Sequence, residues 1–226
     1  MLTLELRGVD KRYRKDGKDV VVLDDVSFSA KSGELVAIVG ESGAGKTTLI
    51  KLITGIDTID GGEIVVNGKS SRAVTLAEFR SYMSTLVGYI SQDYRLLPYM
   101  SVYDNVLIGR LLMPGVDEAG SRAKAERTLE LVGLGDKASY FPSELSVGQQ
   151  QRVAVARALV RDAEIILADE PTGNLDWPKA QQVIDLLSEV AHTMDRLVLI
   201  VTHDQRIASR ADRVVRIDQG RLRADE

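Results

Sequence analysis

Apolar and polar positions change their period several times along this chain, and each change marks an element. Leu2–Arg7 and Val20–Ala30 alternate as half-buried strands do, with Asp16-Gly17 between them as a turn signal. Glu63–Lys69 reads as another strand, after the turn at Asp60-Gly61-Gly62. Leu35–Val39 breaks the alternation. It is short, wholly apolar and followed by glycines, which is the pattern of a parallel strand buried on both faces. Lys46–Thr54 then returns to helical spacing.

From about Asp93 to Arg161 the helical period dominates. Glu118–Val132 is a charged amphipathic helix that stops at Gly133, and Ser146–Arg161 is a second, rich in Gln, Arg and Ala. Apolar strands follow at Ile165–Ala168 and Leu197–Val201, separated by a helix over Pro178–His192, and Val214–Ile217 reads as a last strand. Strands alternating with helices predict an α/β fold with a mainly parallel sheet. The expected organisation is one domain over 1–226, with a core from 1–92 and 162–226 and a helical insertion over 93–161.

Composition narrows the chemistry. A chain of 226 residues can bury a sizeable core without metals or disulfides. It has no cysteine, which excludes thiol catalysis and cysteine-held zinc, and its two histidines are too few for a histidine-rich metal centre. The net charge of −4, with both signs interspersed, argues against nucleic acid as a partner. The longest apolar runs are too short to cross a bilayer, and the segment MLTLELRGVDKRYRK lacks the build of a signal peptide. A membrane role would therefore need a partner that spans it.

Gly40-Glu41-Ser42-Gly43-Ala44-Gly45-Lys46-Thr47 matches GxxxxGK[ST] and sits between the buried strand and a helix. In that setting the glycines let backbone N–H groups close round phosphate oxygens, and the helix start adds its positive dipole. Lys46 would reach the β- and γ-phosphates, and the Thr47 hydroxyl would ligate Mg²⁺. Ile165–Ala168 ends in Asp169-Glu170. Beside a phosphate loop, Asp169 can position Mg²⁺ and Glu170 can deprotonate an attacking water. The NKxD sequence that specifies guanine does not occur.

Leu145-Ser146-Val147-Gly148-Gln149 precedes the Asp169 strand. Taken alone it reads as a helix start, with Ser146 and Gln149 spaced as a capping box. Taken with its neighbours it resembles the LSGGQ signature of ABC transporter nucleotide-binding subunits, with Val147 in place of the first glycine. The resemblance covers essentially the whole chain. Asp169-Glu170-Pro171, Asn174-Leu175-Asp176, Gln92, His203-Asp204 and Tyr13 match that family's further motifs in order. The finer likeness is to the lipoprotein-releasing and macrolide-exporting branch, carried by Pro142–Ala154 and Ala168–Asp176.

The resemblance implies a P-loop ATPase fold with an N-terminal antiparallel β subdomain and an inserted helical subdomain. It implies ATP and Mg²⁺ as ligands. Tyr13 would stack on adenine, and Gly40, Ser42, Gly43, Ala44, Gly45, Lys46, Thr47 and Thr48 would hold the phosphates. Thr47, Asp169 and Gln92 would face the metal, with Glu170, His203 and Gln92 in the catalytic set. Ser146, Gly148 and Gln149, with Asp176, would act on the nucleotide of a second, head-to-tail copy. An integral membrane permease would be the other partner, placing this chain on the cytoplasmic face of a membrane. A cell-division membrane partner is an alternative of the same chemistry. The apolar and aromatic run Tyr94–Val106 is the expected docking surface.

Overall fold

The computed structural model describes residues 1–224. The chain runs β1 (Thr3–Lys15), β2 (Lys18–Lys31), β3 (Leu35–Val39), α1 (Lys46–Ile53), β4 (Gly61–Val66) and β5 (Lys69–Ser70). It continues α2 (Leu76–Leu86), β6 (Val87–Ile90), α3 (Val102–Leu111), α4 (Glu118–Leu131) and α5 (Val147–Leu159). It ends β7 (Ile165–Asp169), α6 (Trp177–Thr193), β8 (Leu197–Thr202), α7 (Gln205–Ala208), β9 (Arg213–Asp218) and β10 (Arg221–Ala224).

Two sheets form. A four-stranded antiparallel sheet has the order β2-β1-β4-β5, and a six-stranded sheet has the order β10-β9-β3-β8-β7-β6. In the larger sheet all neighbours are parallel except β10, which returns antiparallel at the edge. β3 is central, with Leu35 opposite Val198 of β8 and Val36 opposite Arg213 of β9. Its five residues are all buried, because both faces of the sheet are covered.

Side-chain alternation divides the core. Val36, Ile38, Leu167, Leu199 and Val201 face α1, α2 and the antiparallel sheet. Ile166, Ala168, Val198 and Ile200 face α5 and α6, and the same apolar cluster continues into α3 and α4. The helical segment is thus packed onto one face of the sheet and the antiparallel sheet onto the other.

Several elements differ from the pattern reading. β1 extends to Lys15, well beyond Arg7, because Asp16 (φ 50) and Gly17 (φ 76) form a hairpin turn that pairs Lys15 with Lys18. Shifts in register after Leu6 and Val9 disrupt the alternation there. β4 stops at Val66, where the Asn67-Gly68 turn leads into β5. α2 and β6 lie where no element was expected. α2 had a readable start: Thr75 Oγ1 accepts from the Glu78 N–H, and Glu78 returns a carboxylate to the Thr75 N–H at 2.8 Å. Asn105 is a polar residue buried in α3. Its side chain binds Leu97 N, Leu97 O, Met100 O and Ser101 O, tying the loop before α3 to the helix. Among the described residues no helix is long and apolar enough to cross a membrane.

Candidate nucleotide site

The loop after β3 is shaped by contacts that admit no side chain. A Cβ on Gly40 would lie 2.5 Å from Ile217 O. Gly45, at φ 108, would put one 2.8 Å from Leu23 Cδ2 and 2.9 Å from Val22 O. The chain therefore folds tightly over β2 and β9 and enters α1 at Lys46. Lys46 Nζ donates to Gly40 O at 2.6 Å and to Glu41 O at 2.8 Å, so its charge sits at the loop. Loop amides and the α1 N-terminus together favour an anion here.

A cavity of about 640 Å³ opens beside this loop. Ser42, Gly43, Gly45, Lys46, Thr47 and Thr48 form one wall, and Gln92, Asp169, Glu170 and His203 form the other. Gly40 and Ala44 shape the loop from behind without lining the cavity. Parallel pairing explains the convergence: β3, β8, β7 and β6 all end on the same side, so the residues following them meet.

Asp169 ends β7 and accepts a 3.1 Å hydrogen bond from the Tyr89 hydroxyl of β6. Burial pushes the Asp169 carboxyl above its ordinary range. Neighbouring Glu170 adds to that, while Tyr89 and Lys46 oppose it. Burial, with the Asp169 charge, raises the Tyr89 hydroxyl to about 12, so it remains a donor. Glu170 adopts φ 47, a costly backbone for a side-chain-bearing residue. Its N–H bonds Val201 O at 2.8 Å, its Oε1 meets His203 Nδ1 at 2.7 Å, and its Oε2 accepts from Thr202 Oγ1 at 3.3 Å. A strained backbone and contacts from β8 aim this carboxylate into the cavity.

The remaining expected residues lie elsewhere. Ser146 caps α5, exchanging hydrogen bonds with Gln149 at 2.9 and 3.3 Å. Gly148 is buried against Lys179, where a Cβ would approach Lys179 Cδ to 3.2 Å. Asp176 caps α6 through the Lys179 N–H and pairs with the Lys179 ammonium. The starts of α5 and α6 thus form one surface outside the cavity. Tyr13 stands near the end of the β1–β2 hairpin, its hydroxyl donating to Asp57 Oδ2 at 2.6 Å. Tyr89, Thr202 and Asp57 were missed by sequence reading, which has no means of pairing residues on separate strands.

This donor set fits a magnesium–triphosphate. The loop offers amides, a hydroxyl and a lysine to phosphate, and Asp169 with Thr47 offers oxygen to a hard cation. Among the described residues no cluster of three His, Asp or Glu side chains could hold a metal unaided. Magnesium here would therefore share its coordination with phosphate and water, as Mg²⁺ usually does.

A central parallel sheet, a glycine loop entering a helix, and two carboxylates on an adjacent strand end define a P-loop NTPase. The chain belongs to the ABC transporter family, whose model matches residues 23–173. It is an ATPase of the ATP-binding cassette type, with ATP and Mg²⁺ as its ligands. It is 40% identical over 224 residues to a lipoprotein-releasing system ATP-binding protein, LolD, of Chromohalobacter salexigens, covering 99% of this chain and 94% of that one. It is 42% identical over 222 residues to a macrolide export ATP-binding/permease protein, MacB, of Burkholderia pseudomallei. The match covers 98% of this chain but only 34% of that protein, so the chain spans about a third of the macrolide exporter. Among solved structures, a dimeric post-hydrolysis state of the cassette MJ0796 bound to ADP and Pi superposes with a TM-score of 0.86. That structure is 30% identical, and the match covers 99% of this chain and 97% of that one.

Proposed function

We propose that the chain is the ATP-driven motor of a membrane exporter or extractor. It would work as a head-to-tail homodimer on the cytoplasmic face, coupled to a permease that handles a lipophilic or peptide-like substrate. The observation that carries this reading is the division of the motifs. Lys46, Thr47, Gln92, Asp169, Glu170 and His203 share one cavity, while Ser146 stands on an exposed helix start outside it. A second copy is needed to bring a signature to each nucleotide, which the dimeric MJ0796 cassettes support, and the LolD and MacB relatives support the coupling to an export system.

In this reading Tyr13 stacks on adenine, and the loop 40–47 with Lys46 and Thr48 holds the phosphates. Thr47 and Asp169, with Gln92 beside them, hold Mg²⁺, which when bound neutralises charge on the phosphate oxygens. Glu170 takes a proton from water as it attacks the γ-phosphorus, and the bond to the β–γ bridging oxygen breaks, leaving ADP and phosphate. His203, held by Glu170, faces the γ-phosphate. Ser146, Gly148 and Gln149 approach the same phosphate from the second copy, with Asp176 linking the two sites. Loss of that phosphate contact reopens the dimer.

The permease would seat a short helix in the groove of about 470 Å³ beside Leu97, Ile108, Leu112 and Met83. Arg157 of α5 donates to Tyr94 O and Arg95 O, consecutive left-handed residues just after Gln92. This groove therefore connects to the loop that begins at the cavity.

Glu170→Gln tests the proposal, because it keeps shape and removes the base. Hydrolysis should fall by about 10²–10⁴-fold, ATP affinity should persist, and an ATP-loaded dimer should accumulate on size exclusion. Wild-type turnover, or an ATP-loaded monomer, would overturn it.

A further inference from the structure

The Asp57 carboxylate has no place in the chemistry above, yet it ties the loop after α1 to two side chains of β1. It lies in the loop after α1, and its Oδ2 accepts the Tyr13 hydroxyl at 2.6 Å across 44 residues of sequence. Its Oδ1 accepts from Lys11 Nζ at 3.0 Å. Lys11 also donates to Thr58 O at 2.7 Å and is buried, its side chain only 6% exposed. The Lys11 ammonium sits 5.0 Å from the centre of the Tyr13 ring, within the range of a cation–π contact. Thr48, in the first turn of α1, lines the nucleotide cavity.

Around this cluster the side chains have few neighbours, although the hairpin backbone itself is paired. Arg12 to Val21 of the hairpin is exposed throughout. Tyr13 is 36% exposed. A side chain in that position would sample several rotamers, and fixing one costs conformational entropy. Asp57 removes this freedom before any ligand arrives. The same carboxylate is also the nearer partner of the buried Lys11 ammonium, at 3.0 Å against 4.0 Å for Asp60.

We propose that Asp57 is a positioning residue for the nucleobase, tethering the Tyr13 hydroxyl so that one ring face, opposite Lys11, is preset for stacking. The inference rests on the reading of Tyr13 as the adenine platform. Preorganisation of this kind lowers the cost of binding without touching the reacting atoms. Its signature is a change in KM for MgATP with little change in kcat, and no change for a ligand that has no base.

The experiment uses the full chain with three variants. Tyr13→Phe keeps the ring and removes only the tether, leaving the Lys11–Asp57 pair intact. Asp57→Asn weakens the tether from the other side. Tyr13→Ala removes the platform. KM and kcat for MgATP are measured, together with inhibition by inorganic tripolyphosphate. Tyr13→Phe and Asp57→Asn should each raise KM about three- to tenfold, the size of one hydrogen bond's net contribution. Saturated kcat and the tripolyphosphate inhibition constant should stay at wild-type values, and the double variant should be no worse than either single one. An unchanged KM in Tyr13→Ala would overturn the adenine platform itself. A raised KM in Tyr13→Ala with wild-type KM in Tyr13→Phe would overturn the tether alone. Asp57→Asn adds a check that the acceptor matters, and circular dichroism confirms that it folds.

Discussion

Tyr89 and Asp169 are 80 residues apart in sequence, yet their side chains share a 3.1 Å hydrogen bond across neighbouring parallel strands. The register explains it. Tyr89 lies opposite Leu167, so Asp169 is the next residue of β7 on the same face. Burial and Glu170 raise the Asp169 carboxyl, and Tyr89, ahead of Lys46 and Arg95, works against them by donating a hydrogen bond to the charged form.

Tyr89→Phe should therefore let Asp169 take up its proton at a higher pH. The acid limb of the ATPase pH profile should move upward, while turnover at pH 8 stays near wild type. An acid limb identical to wild type would show that the tyrosine does not tune this carboxylate.

Lys46 and Ser146 are expected to serve one nucleotide from different chains. Lys46→Ala and Ser146→Arg should each be inactive alone. Mixed, they form some dimers with both defects at one interface and one intact site. Measurable ATPase should return in the mixture. A mixture as dead as its parts, with crosslinks between the two positions also failing to form, would rule out the head-to-tail arrangement.

Leu97 projects into the arginine-rimmed groove, while Asn105 fixes its backbone through both N–H and C=O. Leu97→Lys should leave thermal stability within about 0.5 kcal/mol of wild type, as for other exposed positions. It should abolish stimulation of the ATPase by the permease and its co-purification. Full stimulation would place the permease contact elsewhere.

Asp212 links the start of β3 to the end of α6. Its Oδ2 accepts the Leu35 N–H at 2.8 Å and meets His192 Nε2 at 2.9 Å. Burial raises this carboxyl, but the Leu35 N–H and His192 outweigh it and hold it below the usual range. A depressed carboxyl stabilises the fold above its unfolded value, about 3.9, and that stability disappears as pH falls through the folded value. Asp212→Asn should lower Tm at neutral pH, and the gap from wild type should close below about pH 4. A gap independent of pH would assign the effect to packing alone.

Much of this molecule is local, and local features are legible in a sequence. Leu35–Val39 reads as a buried strand because every residue is apolar. The loop from Gly40 to Thr47 reads as a phosphate cradle because its glycines and lysine act within a few residues of one another. Capping at Ser146 and Asp176 is equally local, since each side chain binds a backbone N–H three residues on. The α/β class and the family motifs follow from such features and their order.

What the sequence did not contain is which distant residues touch. α2 began with a readable Thr75–Glu78 cap, but β6 directly after it has a single exposed position and no period to detect. Strand order decided that Tyr89 meets Asp169, that Thr202 and His203 flank Glu170, and that Asp57 holds Tyr13. The left-handed backbone of Glu170 is another tertiary decision, maintained by its bond to Val201 in the next strand. Periodicity reports only which face of an element is buried. Register and crossover depend on the summed packing of both sheet faces, and those sums exist only once the chain has closed on itself.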